Sequence, residues 1–242
     1  MSDIVLLAGA VLVVAFLYSI VGHAGASGYI AVMTLFGLAP TLIRPTALTL
    51  NILVAALAAW QFWRAGHFSW SLFWPFASLS LPFAFIGGAL TLPVPAFKIL
   101  IGIVLLFSAA RFLVSPGPDR ATHPPARSVA LPVGAALGFL SGITGVGGGI
   151  FLTPLVIEMR WARTQTAAAV SALFILVNSC AGLAGNIVAT SQLPVFALPL
   201  AAAALVGGAF GSYAGSHRFS VSAIKRVLAV VLMVAGVKLI FT

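Results

Sequence analysis

Apolar runs of about 20 residues recur along the whole chain, and Gly, Pro and charged residues cut them into ten pieces. In the first half these are 3–22, 27–39, 41–64, 70–92 and 96–114. The second half repeats the order with 129–144, 149–159, 162–187, 194–216 and 221–241. None shows the strict apolar–polar alternation of a barrel strand, so the pattern predicts helices. Crossing about 30 Å of hydrocarbon at 1.5 Å per residue takes about 20 residues. About eight pieces approach that length, whereas 27–39 and 149–159 fall well short and read as half-helices.

Each short piece follows a glycine-rich break. The segment 139–152 (FLSGITGVGGGIFL) has an altered copy 123 positions earlier, at 16–30 (FLYSIVGHAGASGYI). Phe16, Leu17, Ile20, Gly22 and Gly25 match Phe139, Leu140, Ile143, Gly145 and Gly148, with Ala24 and Ala26 opposite Gly147 and Gly149. The fourth pieces share a small-residue cluster, Gly87-Gly88-Ala89 and Gly207-Gly208-Ala209, of the kind that lets membrane helices approach closely. The expected fold is an all-α integral membrane protein of two inverted five-segment repeats. The repeats occupy 1–114 and 128–242, joined by a Pro-rich cytoplasmic linker at 115–127. A flexible break inside apolar segments, once per half, is the sequence pattern of a transporter site built on discontinuous helices near the membrane midplane.

Composition fixes the solvent as lipid. Hydrophobic residues make up 62% of the chain and charged residues 6%, against about 25% charged in soluble domains, and the mean hydropathy is +1.18. A net charge of +9 would suggest nucleic acid in a soluble domain; here it is explained by basic loops facing the cytoplasm, and no nucleic-acid partner is expected. If each Gly-broken pair enters and leaves on one face, nine basic residues gather on that side. Arg44, Lys98 and Lys238 then lie opposite, which puts both termini outside the cytoplasm. The start lacks a basic region ahead of its apolar run, so 3–22 is read as a mature helix. The single cysteine, Cys180, can form no internal disulfide.

A half-helix starting at Ser27 or Gly149 would direct unpaired backbone amides into the protein interior, and glycine would let a ligand reach them without a side chain in between. Such a tip favours a small anion. The candidate binding residues are Gly22, His23, Gly25 and Ser27 at the first tip, and Thr144, Gly145, Gly147, Gly148 and Gly149 at the second. Thr49, Asn51, Ser171 and Asn178 on the third pieces join them. Hydroxyls and amides there could donate to anion oxygens, although Ser and Thr in membrane helices commonly bond to their own backbone. His23 is the sharpest asymmetry, since its counterpart is Val146; a histidine there could pair with the anion or carry a coupled proton. No His or Cys pair has metal-ligand spacing, and no metal or cofactor is expected. Arg160 and Arg163, at the exit of the second half-helix, could attract anions.

The repeated glycine tip (Gly145, Gly147, Gly148, Gly149) with downstream Pro154 resembles the TauE/SafE family of sulfite and organosulfonate exporters. So do the Ala-rich stretch ending at Ser171, the Val206-Gly207-Gly208-Ala209 helix and the total length. In the first half Ala24 and Ala26 replace glycines, and Ala31 stands opposite Pro154. The resemblance implies a secondary transporter in a bacterial cell membrane, moving sulfite or a short sulfonate by alternating access. The residues alone reach only a small anion at two half-helix tips. They leave open thiosulfate or a small carboxylate, a His23-dependent membrane enzyme and a non-transporting scaffold, together with direction, coupling ion and oligomeric state.

Overall fold

A computed structural model describes residues 2–20, 23–113, 123–215 and 221–241. Every regular element among them is helical: α1 (Ser2–Ile20), α2 (Ala26–Leu35), α3 (Pro40–Arg64), α4 (Trp70–Ala89), α5 (Val94–Leu113), α6 (Arg127–Thr144), α7 (Gly149–Glu158), α8 (Thr164–Thr190), α9 (Leu198–Gly215) and α10 (Val221–Phe241), with a 3₁₀ turn at Val195–Ala197. Among the described residues α3, α4, α5, α6 and α8 are long and apolar enough to cross a membrane. The others are apolar helices, with α2 and α7 only 10 residues each. At 1.5 Å per residue those two span about 15 Å, half a bilayer.

Local sequence sets where these helices stop. α2 ends four residues before the expected position because Gly37, at φ +76, takes the left-handed conformation. Leu38 N–H then returns to the Met33 carbonyl and Gly37 N–H to Thr34, both at 3.0 Å, which satisfies two end carbonyls. α7 ends the same way with Arg160 in the left-handed position, at φ 57. Trp161 N–H bonds to the Val156 carbonyl at 2.9 Å and Arg160 N–H to Ile157 at 3.1 Å. Prolines inside α3, α4 and α6 are accommodated without ending the helix, as membrane helices allow.

The helices form two compact units, each drawing on both halves of the chain: residues 1–54, 92–115 and 194–242 in one, 55–91 and 116–193 in the other. In the second unit α6 lies on α4 through a glycine stripe. A Cβ added at Gly134, Gly138 or Gly142 would collide with the carbonyl oxygens of Phe76, Ser80 and Ala84 respectively. α8 meets the same helix at Gly182 and Gly185, which lie against Gly88 and Phe85. Leu72, Phe73 and Phe76 of α4 fill the core of this unit with Leu152 and Val156 of α7 and Phe174 of α8. In the first unit Gly207 and Gly211 of α9 lie against the Leu12 and Phe16 carbonyls of α1, and Gly102 of α5 faces Gly236 and Ile240 of α10.

Close backbone contact is the expected cement, because lipid tails are as apolar as leucine and van der Waals packing must hold the helices together. Val5, Leu6, Phe210 and Val230 accordingly remain exposed on the outer surface. Where α3 gives way to α4, Trp63, Phe68, Trp70 and Trp74 form a cluster of stacked and edge-to-face rings with centroids 4.9–5.8 Å apart. Arg64 lies 5.9 Å over Trp60 beside them, the composition of a membrane–water interface.

Candidate anion site at the half-helix tips

Both half-helices begin on a glycine in the left-handed region, Gly25 at φ 98 and Gly148 at φ 78, and neither has a side-chain cap. Side chains other than glycine rarely adopt this conformation, so the sequence commits both positions to a bare N-terminus. Their 123-residue spacing is that of the repeat read from the sequence.

The second tip is the better resolved in chemical terms. Residues 141–150 are buried without interruption. Gly145 and Gly147 also take positive φ, 80 and 82. Gly145 N–H donates to the Ser141 carbonyl at 2.9 Å and Val146 N–H to Thr144 Oγ1 at 3.3 Å. Helical bonding resumes with Phe151 and Leu152, whose N–H groups both reach the Gly148 carbonyl at 3.1 Å. The four amides between, Gly147 to Ile150, have no hydrogen-bond partner among the described residues. A buried amide left unpaired costs about 1–3 kcal/mol. Four together, at the positive end of a helix dipole, are chemically suited to receive negative charge.

Side chains from neighbouring helices bracket these amides. A Cβ on Gly148 would meet Phe174 at 2.9 Å and the Ser141 Cβ at 3.4 Å. One on Gly149 would collide with Ile175 and come 3.6 Å from the Ser171 carbonyl. The hydroxyls of Ser141 and Ser171, on residues 0% and 3% exposed, have no partner. Asn178, two turns beyond Ser171 on α8, is fully buried; its Nδ2 donates to the Phe174 carbonyl at 2.8 Å, and Oδ1 has no partner. α6, α7 and α8 thus bring Ser141, Gly148, Gly149 and Ser171 together, with Asn178 further along.

At the first tip residues 24–34 are buried, and the amides of Ala24 to Gly28 have no partner among the described residues. His23 is half-buried and its backbone N–H donates to the Tyr18 carbonyl at 2.9 Å. Ser27 is buried and shares a 2.9 Å hydrogen bond with the Tyr18 hydroxyl. Tyr29 folds back along α2 until its hydroxyl lies 3.0 Å from where a Gly25 Cβ would stand; that hydroxyl is buried and unpartnered. Sequence reasoning passed over Tyr18 and Tyr29. The available signal was a tyrosine in an apolar run, since its hydroxyl needs a partner once buried.

Two expected donors bond to their own helices. Thr49 Oγ1 donates to the Pro45 carbonyl at 2.9 Å and Thr144 Oγ1 to Leu140 at 2.6 Å. Asn51 is fully buried on α3. Gly22 lies outside the described residues. Among the described residues no three His, Cys, Asp or Glu side chains cluster as a metal site.

The chain is similar to known membrane transporters. The family described as sulfite exporter TauE/SafE matches residues 7–239. A probable membrane transporter protein, y4hK, from Sinorhizobium fredii is 40% identical over 240 residues, covering 97% of each chain. Another probable membrane transporter protein, YunE, from Bacillus subtilis is 27% identical over 114 residues, 47% of this chain and 41% of the relative. No solved structure matches the chain significantly.

Proposed function

Since the chain belongs to the sulfite exporter TauE/SafE family, we propose that this multi-pass membrane transporter moves a small sulfur oxyanion, sulfite or a short organosulfonate, by alternating access. The carrying observation is the set of four buried, unpartnered amides at Gly147 to Ile150, bracketed by the Ser141 and Ser171 hydroxyls. Backbone amides suit a pyramidal or tetrahedral SO₃ group because several donors converge on oxygens without the fixed charge of an arginine, which would hold the anion too tightly for release. The five N–H groups of Ala24 to Gly28 offer the first tip the same chemistry.

Two inverted repeats, 1–114 and 128–242, fit this mechanism. They are supported by the paired Gly25 and Gly148 caps and by the matching contacts of α4 on α6 and α9 on α1, both cemented by glycine. The basic residues assign the 115–127 linker to the cytoplasm and both termini to the other face of the bacterial inner membrane. His23 is the candidate for proton coupling.

The decisive test is reconstitution of the full chain in proteoliposomes loaded with labelled sulfite, taurine, thiosulfate or acetate. Sulfite or sulfonate flux that saturates, and that unlabelled sulfite suppresses, is the expected result. Selective acetate flux would move the reading to a carboxylate, and the absence of flux with every anion would overturn it.

A further inference from the structure

An apolar groove runs between α1, α2 and α10, all within the first compact unit. Its floor is buried: Val14 and Tyr18 of α1, Gly28 and Val32 of α2, and Leu232 of α10. Its mouth is exposed at Gly9 and Val13 of α1 and at Leu35 and Phe36 beside it, apolar surface of the same kind as Val5 and Leu6. Glycine shapes both ends. A Cβ at Gly28 would collide with Tyr18 and Val14, so α1 and α2 lie close together at the deep end; one at Gly9 would meet nothing within 4 Å, so the other end stays open. Among the lining residues Tyr18 alone carries a polar side chain, and its hydroxyl is engaged by Ser27 at 2.9 Å. Side chains of this kind hold neither water nor an anion.

We propose that this groove is a lipid-binding site that holds one acyl chain of a membrane phospholipid. It is continuous with the surface that faces hydrocarbon, so what fills it comes from the bilayer. It runs from Gly9 to Tyr18 along α1 and from Gly28 to Phe36 along α2. At 1.5 Å per residue that is about 12–14 Å, close to half of the about 30 Å hydrocarbon core, which is the depth one acyl chain spans in its leaflet. The volume, about 410 Å³, falls within the range of about 300–1,000 Å³ that accommodates an extended organic ligand. Left empty, the groove would forfeit dispersion contacts along two helices. The acyl chain therefore completes the packing of α2, the half-helix that starts beyond Gly25, by lying against Val32 and Leu35. Its binding is independent of which anion is carried.

The test reconstitutes the full chain in nanodiscs of a phosphatidylcholine with a diazirine in one acyl chain, then counts retained lipid by native mass spectrometry on release into detergent. Wild type should keep one phospholipid per chain, and photolysis should place adducts on residues 9–18, 28–36 and 231–232. Gly9→Leu grows a side chain into the groove from a Cβ that meets nothing within 4 Å, and leucine favours a helix over glycine, so the variant should fold. Retained lipid and groove adducts should then fall about tenfold, the effect of overfilling an apolar site. Gly9→Ala, with a smaller side chain, should lower both by less. Val206→Leu, an exposed change on α9, should leave both unchanged. Equal retention by wild type and Gly9→Leu, no retained lipid in wild type, or adducts spread equally over α9 overturns the proposal. A lipid-free dimer that Gly9→Leu dissociates would assign the groove to a second copy of the chain and overturn it as well.

Discussion

Gly148→Ala tests the tip because its structural costs can be separated from its functional one. An alanine at φ 78 carries the left-handed penalty of about 1–2 kcal/mol. Its methyl group would also stand 2.9 Å from Phe174 and 3.4 Å from the Ser141 Cβ, crowding worth about 1–3 kcal/mol. Gly66→Ala is the matched control: Gly66 has φ 74, and an added Cβ meets nothing within 4 Å. The control isolates backbone strain, whereas the tip variant adds crowding and a methyl group beside the amides proposed to bind the anion. Losing one hydrogen bond to a charged ligand costs about 1.5–3 kcal/mol, a tenfold to hundredfold drop in affinity. Both proteins would be reconstituted at equal folded amounts, with thermal unfolding followed alongside the concentration dependence of sulfite flux. Both variants should unfold earlier than wild type, Gly148→Ala more so, while only Gly148→Ala raises the half-saturating sulfite concentration tenfold or more. Equal transport by the two variants would refute the amide site.

The hydroxyls give a milder probe: Ser141→Ala and Ser171→Ala should each raise half-saturation several-fold with little change in stability, and a silent pair would leave the amides as the whole site. Gly138→Val, which drives a branched side chain into the Ser80 carbonyl, should separate α6 from α4 and appear as loss of folded protein in fluorescence-detected size exclusion, whereas the lipid-facing change Val230→Leu should not. His23→Gln keeps a hydrogen-bonding side chain and removes the titration, so the pH profile of sulfite flux should flatten across the neutral range; a profile superimposable on wild type makes His23 structural. Cysteine-accessibility mapping on a Cys180→Ser background should label position 118 from the cytoplasm and position 242 from the other side, and labelling of both from one side would rule out inverted repeats.

The sequence by itself determined the solvent, the all-helical class, the two half-helices and the glycines that start them. Each depends on local information: the length of an apolar run, or the conformational freedom of one residue at Gly25 or Gly148. Even the early end of α2 was available in Gly37. Only the tertiary structure decided which polar groups look inward. Thr49 and Thr144 turn back onto their own helices, while Ser141 and Ser171, chemically equivalent in the sequence, remain unpartnered beside Gly148 and Gly149. It also brought the Tyr29 hydroxyl over Gly25 and drew each compact unit from both halves of the chain. The reason is physical: a helix that is apolar all round carries no stripe to mark its inner face. In lipid, its rotation is set by the close backbone contacts of glycines such as Gly134, Gly138 and Gly142, which exist only once the partner helix is in place.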